Sequence, residues 1–194
     1  MTKVIELMKM LMMSMVVAMM MTPANVSAQT LLANISPDEF AAKYQNFIRH
    51  MSNFYGSIAA MDYSKYLIKN QWQDTEHNQY VMNINEDYDN GKMNRIVIIG
   101  GNSAYDKQIY YLLVVIEDNF ENLMDSFKLE ITIPLYVLGI KDFDKDRLKR
   151  IIDDLDAEYT FYSSQVDKNI RIVKGRKENT SSNFGETAII ISAY

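Results

Sequence analysis

An apolar run near the N-terminus decides which residues of this chain are available to build a folded domain. Met10 to Met21 carries no charged side chain and follows a segment that holds Lys3 and Lys9. Its 12 residues are fewer than the about 20 that a helix needs to cross a ~30 Å hydrocarbon core, which disfavours an uncleaved membrane anchor. A positive start, a short apolar middle and small residues ending at Ala28 are typical of a secretory signal. We therefore predict a cleavable signal peptide over residues 1–28.

The predicted signal places the rest of the protein outside the cytoplasm. Its pattern is typical of bacterial export, so we expect the mature chain in the periplasm or secreted to the extracellular space. The cleavage region has no cysteine to carry a lipid, which argues against a lipoprotein. No second long apolar run follows, so we expect no membrane insertion after signal cleavage.

The mature part, Gln29 to Tyr194, has 166 residues, enough for a single domain with a sizeable core. This core forms without disulfides, because the chain has no cysteine. Two lysines and one glutamate belong to the predicted signal, which leaves 18 Lys and Arg against 24 Asp and Glu and a net charge of −6. Nucleic-acid binders need a basic surface, so this balance argues against a nucleic-acid partner and against docking on anionic lipid.

After a flexible leader over residues 29–35, the sequence predicts the start of the single domain, residues 36–194. Ser36 is suited to cap a helix, Pro37 fits its first position, and Glu39 completes a capping box. Ile35 and Phe40 have the spacing of a hydrophobic staple. An apolar stripe at helical spacing follows, formed by Phe40, Tyr44, Phe47, Ile48 and Met51. We predict a first helix that buries this stripe.

Three strands are predicted after this helix. A β-rich stretch predicts one near Lys65–Trp72, and strict alternation predicts another over Gln79–Asn85. Asp89 to Lys92 contains Asn-Gly, the dipeptide that favours a tight hairpin turn. Met93–Ile99 is then the returning strand of this hairpin.

The segment from Ser103 to Leu155 is predicted to be largely helical. Ser103 to Asp106 is suited to cap a long core helix, and its apolar positions recur at helical spacing, namely Ile109, Leu112, Leu113, Ile116, Phe120, Leu123, Met124 and Phe127. Leu129–Ile140 contains Pro134 and is open between an extended segment and a short helix. Asp142–Leu155 predicts the last helix, with four apolar residues facing inward, namely Leu148, Ile151, Ile152 and Leu155.

The C-terminal part predicts three more strands, over Glu158–Ser164, Asn169–Lys174 and Glu186–Ala193. The order of elements is therefore α-βββ-α(α)-βββ, in which the two halves resemble each other only coarsely. We predict an α+β fold, a two-layer sandwich of a mostly antiparallel sheet of about six strands with two to four helices on one face.

One group of acidic residues has the spacing of a calcium loop. Asp142, Asp144 and Asp146 are followed by Asp153 at the twelfth position, where a bidentate carboxylate belongs. The sixth position is Arg147 instead of the glycine that the loop needs, so acids at a helix N-terminus are the favoured interpretation. A second group of oxygen ligands, Asn85, Asp87 and Asp89, is explained by the neighbouring turn. We assign neither group as a metal site.

Three other features are weighed and assigned no catalytic or cofactor role. Gly100 to Ser103 is interpreted as a strand-to-helix turn, a place that can hold an anion but lacks a phosphate-binding motif. His50 is placed at the end of the first helix, where a cation complements the dipole, and His77 lies in a polar loop. Neither histidine has ligands at zinc-site spacing or a G-x-S-x-G motif to act with.

Charge is concentrated in two places near the C-terminus. The acidic run of Asp153, Asp154, Asp156 and Glu158 could supply a pair of catalytic carboxylates, but a solvated helix end is the default interpretation. A predicted hairpin carries a basic group, namely Lys168, Arg171, Lys174, Arg176 and Lys177. We favour edge-strand protection as its role, with docking of an acidic partner as the alternative.

Tyrosine is the remaining compositional signal, since all 13 lie after the predicted signal. They include Tyr44, Tyr55, Tyr63, Tyr66, Tyr80, Tyr88, Tyr110, Tyr111 and Tyr159. Tyrosine is common at binding surfaces because it offers a large contact area at low entropic cost. The sequence therefore favours a non-enzymatic interaction module that binds a protein or cell-envelope partner through the sheet face or a tyrosine-rich surface. An extracytoplasmic hydrolase and a small-ligand carrier with a cavity between sheet and helices are the alternatives.

Overall fold

The computed structural model describes residues 30–55, 66–76, 79–87, 92–100, 106–119, 131–153, 156–178 and 184–194. The elements, in chain order, are α1 Pro37–Tyr55, β1 Asn70–Asp74, β2 Gln79–Asp87, β3 Lys92–Gly100, β4 Ile109–Asn119, α2 over residues 131–137, α3 Lys145–Ile152, β5 Glu158–Ser163, β6 Lys168–Glu178 and β7 Phe184–Ala193. The predicted signal, residues 1–28, lies outside the described residues.

The strands form one antiparallel sheet in the order β1-β2-β3-β4-β7-β6-β5. The α+β class with an antiparallel sheet is confirmed. The sheet has seven strands instead of about six, and the predicted order is only partly matched, because β4 takes the place of a predicted helix.

Helix α1 begins as its sequence predicts. The Glu39 backbone N–H donates to Ser36 Oγ at 3.1 Å, and the Glu39 carboxylate pairs with Lys43 Nζ at 2.9 Å. The bond to Ser36 satisfies one of the N–H groups that the first turn of a helix leaves unpaired. The apolar stripe is buried, with Phe40, Tyr44 and Ile48 fully covered.

The predicted hairpin is confirmed by the pairing of β2 with β3. Its register runs from Gln79 opposite Ile99 to Asp87 opposite Lys92, although the Asn-Gly turn itself lies outside the described residues. The strand predicted near residues 65–72 is shifted, since β1 covers Asn70–Asp74. Tyr66, which precedes β1, is buried in the core instead of paired in the sheet.

The core helix predicted from residue 103 onward is wrong where the structure describes it, because Ile109–Asn119 is the strand β4. This strand lies between β3 and β7 and is covered on both faces, so Leu112, Leu113, Val114 and Val115 are all buried. A continuous apolar run satisfies helical spacing and strand burial equally well. Its β-branched and aromatic residues favour the strand. The predicted helical positions from Phe120 to Phe127 lie outside the described residues.

The short-helix alternative for Leu129–Ile140 is the one observed, as α2. Gly139 ends it with a φ of 85°, a conformation that glycine adopts without strain. The Ile140 N–H donates to Leu135 O at 2.9 Å and the Gly139 N–H to Tyr136 O at 3.0 Å, which is the Schellman ending of a helix.

Helix α3 is shorter than the predicted Asp142–Leu155. Asp144 caps it by accepting hydrogen bonds from the Asp146 and Arg147 N–H groups at 2.8 and 3.2 Å. Three of the four residues predicted to face inward, Leu148, Ile151 and Ile152, are buried. The fourth lies outside the described residues.

The last three strands match their predicted positions closely and form the meander β5-β6-β7. Each half of the domain therefore begins with helical structure and continues as a meander of antiparallel strands. The meander is β1–β4 in the first half and β5–β7 in the second. The final strands of the two halves, β4 and β7, pair antiparallel at the middle of the sheet. The coarse resemblance of the halves is thus also a resemblance of their topology.

The helices share one face of the sheet, which we call the inner face. Buried residues of α1, α2 and α3 form a single cluster with alternate residues of the strands, among them Met82, Ile98, Leu112, Ile172 and Ile191. This cluster is the main core. The alternate residues between these point to the opposite face, which we call the outer face.

Candidate functional site: the outer face of the sheet

A second apolar cluster lies on the outer face. The register places Trp72, Val81, Val97, Leu113 and Ile190 opposite one another in turn across β1, β2, β3, β4 and β7. We call this line the Trp72 row. Val97 at its centre is 0 % exposed, whereas Trp72 and Ile190 at its two ends are only partly buried. The row is thus most protected at the middle of the sheet.

Three further apolar side chains widen this row. Val115 is buried beside it, and Ile99 and Tyr111, which lie opposite each other on β3 and β4, are partly buried. No helical residue that the structure describes belongs to this cluster. A sheet that carries helices on one face commonly presents polar residues on the other. The apolar outer face is therefore unusual for a two-layer fold.

The same face becomes polar toward β5 and β6. Arg171 Nη2 donates to Glu158 Oε2 at 2.7 Å. Tyr162, 58 % exposed, donates its hydroxyl to Asp167, and this bond raises the pKa of the tyrosine. The outer face consequently has an apolar half, on β1–β4 and β7, and a polar half, on β5 and β6.

One polar group lies within the apolar half. Asn83 is two positions along β2 from Val81 and so points to the same face. It is only 2 % exposed, and its carboxamide Oδ1 accepts no hydrogen bond. An unpaired buried acceptor costs about 1–3 kcal/mol. The fold therefore carries an unsatisfied acceptor beneath this face.

The acids of the calcium-like pattern have separate structural tasks. Asp142 accepts hydrogen bonds from Ser163 Oγ at 2.6 Å and from the Ser164 N–H at 2.8 Å, which tie the segment before α3 to the end of β5. Asp144 is occupied as the cap of α3. Among the described residues, no group of three or more His, Asp or Glu side chains is placed to hold a metal ion.

The acidic run near the end of α3 is divided among basic partners. Asp156 accepts two hydrogen bonds from the Arg150 guanidinium, at 2.7 and 3.2 Å, and this pairing lowers the pKa of the carboxyl. Lys149 lies 4.0 Å from Asp153, and Glu158 is paired with Arg171. The described acids of this run therefore form ion pairs with basic residues, while Asp154 lies outside the described residues.

The edge-protection role predicted for the basic hairpin is wrong, because β6 lies between β5 and β7. Two of its lysines bind backbone carbonyls instead. Lys168 Nζ donates to Leu31 O at 2.6 Å, and Lys174 Nζ donates to Ile152 O at 2.7 Å. These bonds attach the N-terminal segment and the end of α3 to the sheet. The side chains of Arg176 and Lys177 lie outside the described residues.

The histidine and glycine features do not meet at one place. His50 is exposed on α1, which continues to Tyr55, so its predicted position in the last turn is wrong. Gly100 precedes a strand, and the predicted strand-to-helix turn is therefore also wrong. A Cβ at Gly100 would lie 2.2 Å from Gln108 O, which explains the glycine by close backbone approach. His77 and residues 101–103 lie outside the described residues, as do the side chains of Asn85, Asp87 and Asp89.

Four of the described tyrosines belong to the core. Tyr44, Tyr66, Tyr80 and Tyr159 are buried. Tyr80 donates its hydroxyl to Asp38 Oδ1 at 2.6 Å, and the Tyr159 hydroxyl accepts from the Asp144 N–H at 2.8 Å. Burial raises the pKa of Tyr159. Tyr110 and Tyr111 remain partly exposed, and the side chains of Tyr55, Tyr63 and Tyr88 lie outside the described residues.

No protein-family model, curated protein or solved structure matches this chain. In the part of the chain that the structure describes, no helix has the length and apolar character needed to cross a membrane.

The Trp72 row was missed by sequence reasoning because Leu113 was assigned to a helix. The available signal was the occurrence of adjacent apolar residues in strands, Val97 with Ile98 and Leu113 with Leu112. Such pairs are typical of strands buried on both faces.

Proposed function

We propose that this protein is an exported, non-enzymatic interaction module that binds a protein or cell-envelope partner through the apolar half of the outer face. The observation that carries the proposal is the Trp72 row, an apolar line across five strands on the side of the sheet opposite the helices. Its buried centre supports the partly exposed side chains of Trp72, Tyr111 and Ile190, and exposed apolar groups of this kind on soluble proteins mark interaction sites.

The chemistry of this surface indicates the kind of contact that it makes. Trp72 and Tyr111 are partly buried aromatic residues, the types most often found as energetic anchors of interfaces. A partner segment with apolar side chains would pack against these two aromatic residues.

The two alternatives receive less support. A hydrolase needs converging catalytic groups, whereas the described carboxylates are separated as caps and ion pairs. A carrier needs space between sheet and helices, and the described side chains there form a continuous buried cluster. Of the three interpretations, the interaction module is the one that an observed feature, the Trp72 row, supports.

Site-specific photocross-linking tests the proposal. A photoreactive phenylalanine analogue replaces Tyr111 in the full chain, and a matched variant carries it at Arg49, which is exposed on α1 on the other side of the sheet. In cells that produce the protein, we expect a cross-linked product of discrete mass from position 111 alone. A second substitution, Trp72→Ala, should reduce its yield. Identical products from both positions, or none from either, would contradict this function.

A further inference from the structure

The edge of the sheet at β5 has free backbone groups in a regular pattern. Among the described strands, β5 is terminal and pairs only with β6. The Lys174 N–H donates to Ala157 O at 3.3 Å, which makes Ala157 and Lys174 a hydrogen-bonded pair. Hydrogen-bonded and non-hydrogen-bonded pairs alternate along an antiparallel ladder. The N–H and C=O groups of Glu158, Thr160 and Tyr162 therefore point away from β6, toward the outside of the sheet.

This edge lacks the usual devices that prevent strand pairing. Residues 158–163 contain no lysine and no proline, and their register with β6 runs without a bulge. The basic residues of the neighbouring hairpin lie on the interior strand β6. No hydrogen bond from the described residues reaches the outward backbone groups of β5.

The sequence of β5 is complementary to itself when two copies run antiparallel about Thr160. Glu158 of each copy then lies opposite Tyr162 of the other, so that no two like charges meet. Arg171 pairs with Glu158 at 2.7 Å, so this carboxylate already has a basic partner at the edge. On the inner face, Tyr159 stacks on Phe161 at 4.8 Å, and Tyr159 of each copy would lie opposite Phe161 of the other.

We propose that β5 pairs antiparallel with β5 of a second copy of this chain, with the two-fold axis at Thr160. The two seven-stranded sheets become one continuous sheet. A six-residue strand buries less than the about 1,600 Å² of a standard interface, so the dimer dissociates in the micromolar range or above. The β5 edge is separate from the Trp72 row. If this dimer does not form, the proposed function is unaffected.

Sedimentation velocity of the full chain, from about 1 to about 500 μM, tests the dimer. Thr160→Pro removes an outward N–H and blocks pairing, but it leaves the ladder with β6 intact because that N–H bonds none of the described residues. Thr160→Val keeps the N–H and serves as the matched control. We expect the parent chain and Thr160→Val to dimerise with concentration and Thr160→Pro to stay monomeric. A parent chain that is monomeric throughout would overturn the proposal, as would a dimer that Thr160→Pro preserves.

Disulfide trapping tests the register independently of the proline variant's folding. The chain has no cysteine, so a single substitution introduces the only thiol. The two Thr160 Cα atoms would lie about 5.5 Å apart in the dimer, within disulfide range. The two Tyr162 Cα atoms, offset by four positions along the strands, would lie about 14 Å apart. We expect Thr160→Cys to form a covalent dimer on mild oxidation and Tyr162→Cys to remain monomeric. Equal cross-linking of both, or of neither, would exclude this register.

Discussion

Replacing Val97 by alanine tests whether the outer face is packed as closely as a core. Val97 is 0 % exposed, and its neighbours across the sheet are Val81 and Leu113. The change removes two buried carbons at about 0.8 kcal/mol each. A cavity contribution brings the expected loss to about 2–3 kcal/mol of unfolding free energy. For a domain of this size that loss lowers Tm by about 5–10 °C.

The assay is urea unfolding followed by the emission of Trp72, the single tryptophan of the chain and a member of the same row. Far-UV circular dichroism checks that both probes report one transition. Val173→Ala is the matched control, because Val173 lies in line with the Trp72 row on β6 but is only partly buried. We expect Val173→Ala to lower the free energy of unfolding by about 1 kcal/mol or less. Equal losses from the two variants would refute the packed outer face.

Two further predictions concern the N-terminus of the exported protein and the pH dependence of its stability. Intact mass of the exported protein should show a chain that begins at Gln29, and a retained N-terminus would contradict cleavage after Ala28. Burial raises the pKa of Asp142, but hydrogen bonds from Ser163 and Ser164 outweigh it, so the net pKa is lowered. The resulting stability is present above about pH 4 and is lost as the pH falls further. Asp142→Asn should therefore lower the free energy of unfolding by about 1 kcal/mol at pH 7, after allowance for solvent screening. The loss should become progressively smaller toward pH 2. A cost that is constant with pH would contradict this reasoning.

Elements with strong local signals were predicted close to their observed positions. The capping residues Ser36 and Glu39 mark α1 because the groups that they satisfy lie within one turn. The hairpin of β2 and β3 is similarly local, since its two strands alternate on either side of one turn. The inward residues of α3 follow from the spacing of Leu148, Ile151 and Ile152 alone.

The errors fall where local pattern and long-range pairing compete. The run from Ile109 onward is apolar at nearly every position, so its spacing does not distinguish a buried helix from a central strand. Only the two partners of β4, one on each side, decide the outcome. The histidine prediction failed for a simpler reason, because α1 continues past His50 to Tyr55.

The sequence by itself determined the helical or extended state of most segments, the absence of disulfides and the inward face of α1 and α3, since these depend on residues a few positions apart. The tertiary structure alone decided that β4 pairs with β7, that basic β6 is interior and that β5 is an edge. It also assembled the Trp72 row from strands far apart in the chain. The physical reason is that strand pairing unites distant segments, whose partner choice depends on the packing of the whole sheet and is not encoded in any one of them.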